Sequence, residues 1–180
     1  MSWDRYFHDI CKAVAENSKC LSRQIGAILV KDKTIIGTGY NGPPRGIPHC
    51  GLRSVEGIDA AFTEAIKKKN NELLYHVQSS EEGRCPRRIL GFKSGEGLEW
   101  CVAGHAERNA LINSARLGIP TWGTKMYMNC GIPCTPCLVE IINAGVEEII
   151  LTKFVGYDQM SEYLLRHSGI KVRVYDFKGD

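Results

Sequence analysis

Three side chains far apart in the sequence constrain this chain more than any other feature. They are His105 in His105-Ala106-Glu107, and Cys134 and Cys137 in Pro133-Cys134-Thr135-Pro136-Cys137. One imidazole and two thiolates fill three corners of a tetrahedral zinc ion and leave the fourth open, the arrangement of a catalytic rather than a structural site. The chain must therefore fold so that two separate segments deliver ligands to one point. Each segment opens a predicted helix. Residues 106–117 have helical character and end at Gly118, and residues 134–144 carry Leu138, Ile141 and Ile142 on one face and end at Gly145. A helix N-terminus at Cys134 to Cys137 favours the thiolate form that a metal requires.

Glu107 stands two residues after His105 and cannot share its direction on a helix. That leaves its carboxylate free to sit beside the open coordination position and carry a proton between water and a reacting group. Neither half is specific alone, because a His-Ala-Glu tripeptide arises by chance and a C-x-x-C can be redox-active or structural. A purely structural C-x-x-C with a histidine at a helix start would leave Glu107 and Pro133 without a role. The whole signature, H-x-E followed by P-C-x-x-C, is that of zinc deaminases acting on cytosine C4 or adenine C6.

The rest of the chain predicts an α/β fold. Residues 3–15 have apolar side chains at helical spacing (Tyr6, Phe7, Ile10, Val14). Residues 25–30 and 34–38 are β-rich runs around a hairpin at 31–33, and a Gly/Pro-rich loop follows over 39–46. After residue 105 come strands at 126–128, 148–152 and 171–177, with a helix at 159–167. This order implies a five-stranded mixed sheet covered by helices, a hairpin followed by parallel crossovers. Residues 52 to about 99, with a possible helix over 58–70, read as an insertion in a single domain spanning 1–180.

A net charge of +3 and a pI near 8.4 are too mild to indicate nucleic-acid binding, and Lys67-Lys68-Lys69 reads as a solvated helix face. No apolar run approaches the roughly 18 residues of a membrane span, and the N-terminal residues lack the apolar region of an export signal. The eight cysteines are therefore expected as thiols or metal ligands in a cytoplasmic protein.

Three stretches together resemble the deoxycytidylate (dCMP) deaminases of the cytidine deaminase superfamily: His105-Ala106-Glu107-Arg108-Asn109-Ala110, Pro133 to Cys137, and Gly39-Tyr40-Asn41-Gly42. The opening Ser2-Trp3-Asp4-Arg5-Tyr6-Phe7 strengthens the likeness. The resemblance implies a three-layer α/β/α cytidine-deaminase-like fold and hydrolysis of dCMP to dUMP and ammonia, feeding thymidylate synthesis. It also implies a homo-oligomer, often a hexamer, activated by dCTP and inhibited by dTTP. Close alternatives are deamination of dCTP, of 5-substituted dCMP, or of a base in single-stranded nucleic acid. A non-catalytic zinc module, in which Glu107 would be dispensable, is the alternative of a different class.

Nucleotide contacts have several candidates. Asn41 can hydrogen-bond sugar or base, or simply tolerate turn geometry. Tyr157 can stack on a base or pack ordinarily. Arg23, Arg45 and Arg108 offer guanidinium groups for the phosphate. His8, His76 and His167 lack ligand spacing. Some phage members of the resembled family carry a second, structural zinc. That likeness implies a closed site from Cys20, Cys50, Cys85 and Cys101, with His49 able to replace one ligand, and hence two zinc ions per chain. Cys11 and Cys130 remain as small core residues.

Overall fold

The computed structural model describes residues 1–53, 57–69, 85–93 and 95–175. The chain divides into two compact units: residues 1–18, 25–41 and 105–180 form the first, and residues 19–24 and 42–104 the second.

The first unit is built on helix α1 (Trp3–Glu16), strands β1 (Gly26–Lys31) and β2 (Thr34–Tyr40), and a run of alternating elements after residue 105. The second unit supplies helices α2 (Ala60–Lys69) and α3 (Pro86–Ile89). The first unit resumes with α4 (Ala106–Arg116), β3 (Thr124–Met128), α5 (Thr135–Asn143), β4 (Val146–Leu151), α6 (Gln159–His167) and β5 (Lys171–Val174). The five strands form one sheet in the order β2-β1-β3-β4-β5. β1 is antiparallel to both β2 and β3, whereas β3, β4 and β5 run parallel. This is the mixed sheet expected from the element order, with Asp176 and Phe177 of the predicted last strand lying outside the described residues.

Strand alternation divides the core into two layers. Ile28, Val30, Tyr127 and Ile150 face α1, where they meet Phe7 and Cys11. Ala27, Leu29, Met126, Met128, Ile149 and Leu151 face the other way, onto Ala106 and Ala110 of α4 and Cys137, Leu138 and Ile141 of α5. β1 lies inside the sheet and is buried on both faces, so its sequence is continuously apolar rather than alternating. Each fully buried Leu or Ile contributes about 1.5–3 kcal/mol. One helix on one face and three on the other make the α/β/α sandwich.

Both hairpin residues, Asp32 and Lys33, have positive φ (48° and 62°), the geometry of a two-residue turn matched to strand twist. Gly118 and Gly145 also have positive φ just beyond α4 and α5, as the helix-stop readings require. One expectation needs correction. β2 does not stop at residue 38 but continues through Gly39 and Tyr40. Gly39 and Tyr40 pair with Ala27 and Gly26 of β1, and helix α4 packs so closely on β2 that a Cβ at Gly37 or Gly39 would collide with Ala106, Ala110 or Ser114. Three α4 side chains then cover carbonyls along this edge strand: Asn109 Nδ2 donates to Tyr40, Asn113 Nδ2 to Thr38, and Ser114 Oγ to Ile36. Bonded this way, the edge offers those carbonyls to no further strand.

The second unit has a small core of Phe62, Ile66 and Ile89, with Leu90 and Trp100 against it. Buried Arg53 pairs with Asp59 at 2.7 Å and donates to the Trp100 carbonyl, while Asp59 caps the start of α2 through Phe62 N. Lys67, Lys68 and Lys69 are exposed on α2. The predicted helix over 58–70 is thus shorter, and Asn70 lies outside the described residues. The longer stretch of the unit begins at residue 42, earlier than the expected insertion, and is closed by the pairing of Gly42 with Gly104. Among the described residues no helix is long and apolar enough to cross a membrane.

On the α1 side the first unit is tied by charge. Arg173 of β5 grips both carboxylate oxygens of Asp4 at 2.5 and 2.8 Å, Tyr127 Oη donates to Asp4 at 2.7 Å, and Arg173 Nε reaches Glu148 at 2.7 Å. The hydrogen bonds from Arg173, and then from Tyr127, outweigh burial and hold the Asp4 carboxyl below its ordinary range. A lowered native pKa stabilises the fold above the unfolded value, near pH 4, and that contribution disappears as pH falls through the native value. Asp4→Asn should cost about 1–3 kcal/mol at pH 7. The gap to wild type should shrink in urea melts at pH 3, and a gap that stays constant would contradict this account.

Candidate metal centre

His105 and Cys134 occupy equivalent places, each an extended residue capping the helix that follows: α4 for His105, α5 for Cys134. Cys137 lies in the first turn of α5, and Pro136 sits where a missing N–H costs nothing. The parallel crossover from β3 to β4 places α5 on the same face of the sheet as α4, and their N-termini meet.

There the ligand atoms converge. His105 Nδ1 lies 3.4 Å from Cys134 Sγ and 3.3 Å from Cys137 Sγ. All three atoms lie within 4.8 Å of one another. A tetrahedral zinc with ordinary Zn–N and Zn–S bonds separates nitrogen from sulfur by roughly 3.5 Å, so these residues fit the ion they were expected to hold. They are the only group of three or more His, Cys, Asp or Glu side chains close enough for a metal among the described residues. Cys137 is fully buried and Cys134 nearly so, at 7% exposure.

The charges suit a cation. Hydrogen bonding to the Cys137 thiol and to His105 outweighs burial and pulls the Cys134 thiol down to about 4. Cys137, which loses that bond to Cys134 on ionising and is deeply buried, is pushed up. His105 is raised, chiefly by its bond to Cys134 against the cost of burial. Zinc binds cysteine as thiolate, so an ion held by these residues is bound with release of the thiol protons. Glu107 is 5% exposed in the first turn of α4, and its charge is felt at both His105 and Cys137. It is outside the ligand set yet beside it, as its spacing required.

The other candidates fall in several places. Asn41 is buried at the end of β2. The Ser18 hydroxyl donates to its carbonyl at 2.6 Å and to its Oδ1 at 2.8 Å, and Ile25 N also donates to Oδ1. Arg108 makes a two-pronged pair with Glu140 of α5 at 2.8 and 2.9 Å, bridging the two ligand-bearing helices. Tyr157 is 41% exposed in the segment before α6. Arg23 and Arg45 are exposed in the second unit. His8 is buried against Tyr175, His167 packs on Tyr163 with its ring tilted by 43°, and His76 lies outside the described residues. Cys20, Cys50, Cys85 and Cys101 all belong to the second unit. Burial, and then the sulfurs of Cys101, Cys85 and Cys20, push the Cys50 thiol up, but the structure does not bring three or more of the four close enough to share a metal ion.

Two roles escaped the sequence. Asn109 binds the backbone of β2, a long-range contact with no local signal. Asp158 announces itself as a helix cap, but it also holds Thr135, between Cys134 and Cys137.

The family profile described as the cytidine and deoxycytidylate deaminase zinc-binding region matches residues 1–153. The chain belongs to this family of zinc-binding deaminases. It is 31% identical over 156 residues to the deoxycytidylate deaminase of Mycobacterium phage D29, covering 84% of this chain and 94% of that one. It is 30% identical over 175 residues to the deoxycytidylate deaminase of Schizosaccharomyces pombe, covering 97% of this chain but 44% of the yeast protein, so it spans less than half the length of that relative. Among solved structures, the dCMP deaminase of cyanophage S-TIM5, in complex with dCMP and dUMP, superposes with a TM-score of 0.61 at 20% identity over 95% of both chains. That likeness is one of fold.

Proposed function

We propose that the chain hydrolyses dCMP to dUMP and ammonia at a zinc ion held by His105, Cys134 and Cys137. The observation that carries this reading is the buried Glu107 carboxylate beside a cluster of three candidate ligands that no fourth His, Cys, Asp or Glu among the described residues joins. The phage D29 relative, matched along nearly its whole length, is a deoxycytidylate deaminase. When bound, zinc supplies a Lewis acid that makes a water molecule a nucleophile at neutral pH. Glu107 would take one proton from that water and deliver it to N3 of the cytosine ring, which keeps it in dUMP, and would then carry the remaining hydroxyl proton to the departing amine, which would leave as ammonia. Burial shields the carboxylate from bulk water, so the proton it holds goes to the substrate.

Asn41, Arg108 and Tyr157 are proposed to hold the nucleotide. With its Oδ1 held by Ser18 and Ile25, Asn41 would meet sugar or base as a donor. Arg108 would exchange Glu140 for phosphate, and Tyr157 would stack. The dUMP formed would feed thymidylate synthesis, and a thiol-rich metal site suits the reducing cytoplasm. The reading extends to a homo-oligomer, a hexamer regulated by dCTP and dTTP. Exposed Ile112, Leu117, Trp122 and Val139 are apolar surface that an assembly would cover.

A product assay on dCMP, dCTP, deoxycytidine and a cytosine-containing oligonucleotide tests the substrate, with Glu107→Gln as the mechanistic control. We expect dCMP to have by far the highest kcat/KM, and Glu107→Gln to keep metal and fold while losing about three or more orders of magnitude in turnover. Equal kcat/KM for deoxycytidine and dCMP would overturn the substrate. A Glu107→Gln variant retaining a tenth of wild-type turnover would overturn the proton shuttle.

A second zinc, closed and structural, is proposed for Cys20, Cys50, Cys85 and Cys101. In support, all four lie in one unit, and its short 19–24 segment contributes Cys20. A closed site of this kind stabilises a unit whose core is small. Metal analysis should find two zinc ions per chain, and one in Cys50→Ser and Cys85→Ser, with lowered Tm. One zinc in wild type and unchanged Tm in both variants would refute it.

A further inference from the structure

The segment entering α5 and the segment entering α6 run side by side and are laced together from end to end. Thr152 N and Oγ1 donate to the Cys130 carbonyl at 3.2 and 3.3 Å, and Ile132 N donates to the Val155 carbonyl at 3.2 Å. Gly131 permits the approach, since a Cβ there would lie 3.1 Å from the Val155 oxygen. Ser161 Oγ, fully buried in α6, donates to the Pro133 carbonyl at 3.1 Å. The last rung falls between two metal ligands: Thr135 N donates to Asp158 Oδ2 at 3.2 Å, and Thr135 Oγ1 donates to Asp158 Oδ1.

Asp158 therefore does two jobs with one carboxylate. Oδ1 accepts Ser161 N at 2.7 Å, the ordinary duty of a residue capping α6. Oδ2 accepts Thr135 N, the first amide of α5, which has no partner within its own helix. Capping α6 alone needs one acceptor oxygen, and asparagine or serine would serve as well. The second oxygen is spent on the other helix, at the residue following Cys134 and two before Cys137.

We propose that Asp158 is a positioning residue for the metal centre, fixing the entry of α5 so that Cys134 and Cys137 face His105. The proposal rests on the reading of those three residues as metal ligands. Outer partners that orient ligands typically change metal affinity 10–100-fold when removed. Asp158 reaches the ligands through the backbone of Thr135, so its loss loosens both thiolates together.

The test uses a substitution that separates the two jobs. Asp158→Asn keeps an acceptor for Ser161 N but turns an amide NH2 toward the Thr135 N–H, so donor meets donor. Thr135→Val removes only the hydroxyl rung and guards against an Asp158 variant that fails to fold. Zinc release to a chromogenic chelator is followed for the full chain, and the phase missing from Cys137→Ser is the one belonging to this centre. We expect Asp158→Asn to release that zinc 10–100-fold faster, and Thr135→Val several-fold faster. Tm of the metal-free proteins should stay within a few degrees of wild type, the visible spectrum of the cobalt-substituted centre should shift, and kcat should fall more than KM rises. Release and spectra unchanged in both variants would overturn the role of Asp158, and a Tm loss without faster release would do the same. A wild-type protein lacking the Cys137-dependent phase would instead overturn the metal reading itself.

Discussion

A zinc ion with one nitrogen and two sulfur ligands tolerates only about 0.2 Å of error in its bonds, so the helices that carry His105, Cys134 and Cys137 have to be fixed at their first turns. Loops would not achieve this, because ordered backbone at the ligands requires packing close behind them. The first unit meets the requirement by bringing two helix N-termini together on one face of the sheet. His105 and Cys134 each stand at the cap position. The partial positive charge of both helix ends then falls where thiolates must form.

Each helix is held differently. α4 lies against β2 so closely that Gly37 and Gly39 have no room for a side chain, and its polar stripe bonds the strand carbonyls at residues 36, 38 and 40. α5 buries Leu138 and Ile141 against β3 and β4, and its first turn is laced to the segment that follows β4. Arg108 and Glu140 join the two helices across their exposed side. On the opposite face, α1 is held by Phe7 and Cys11 in the core and by the Asp4–Arg173 pair at the margin. The rigidity of the cluster is thus a property of the whole sandwich.

Features that depend on local periodicity or on turn chemistry could be read from the residues. The hairpin, the glycine stops after α4 and α5, and the mixed character of the five-stranded sheet follow from alternation, helical spacing and positive-φ positions. The ligand trio was legible because metal chemistry restricts residue type and spacing. Features that depend on distant contacts could not be read. Tyr40 belongs to a strand because it pairs with Gly26 of β1, and Asn109 binds its carbonyl. Asn41 turns its oxygen to Ser18 and Ile25, and Arg108 faces Glu140. The second unit gathers residues 19–24 with 42–104, and nothing in either stretch alone announces the partnership. The double duty of Asp158 is of the same kind, since its capping role is local and its hold on Thr135 spans the core.

The central claim is that His105, Cys134 and Cys137 form one open metal site. Crystals of the zinc-loaded protein, with anomalous diffraction measured on both sides of the zinc absorption edge, test it most directly. The account predicts a zinc peak at about 2.0–2.1 Å from His105 Nδ1 and about 2.3 Å from Cys134 Sγ and Cys137 Sγ, with no protein atom at the fourth corner. No zinc peak between these residues, or a fourth protein ligand closing the site, would contradict it.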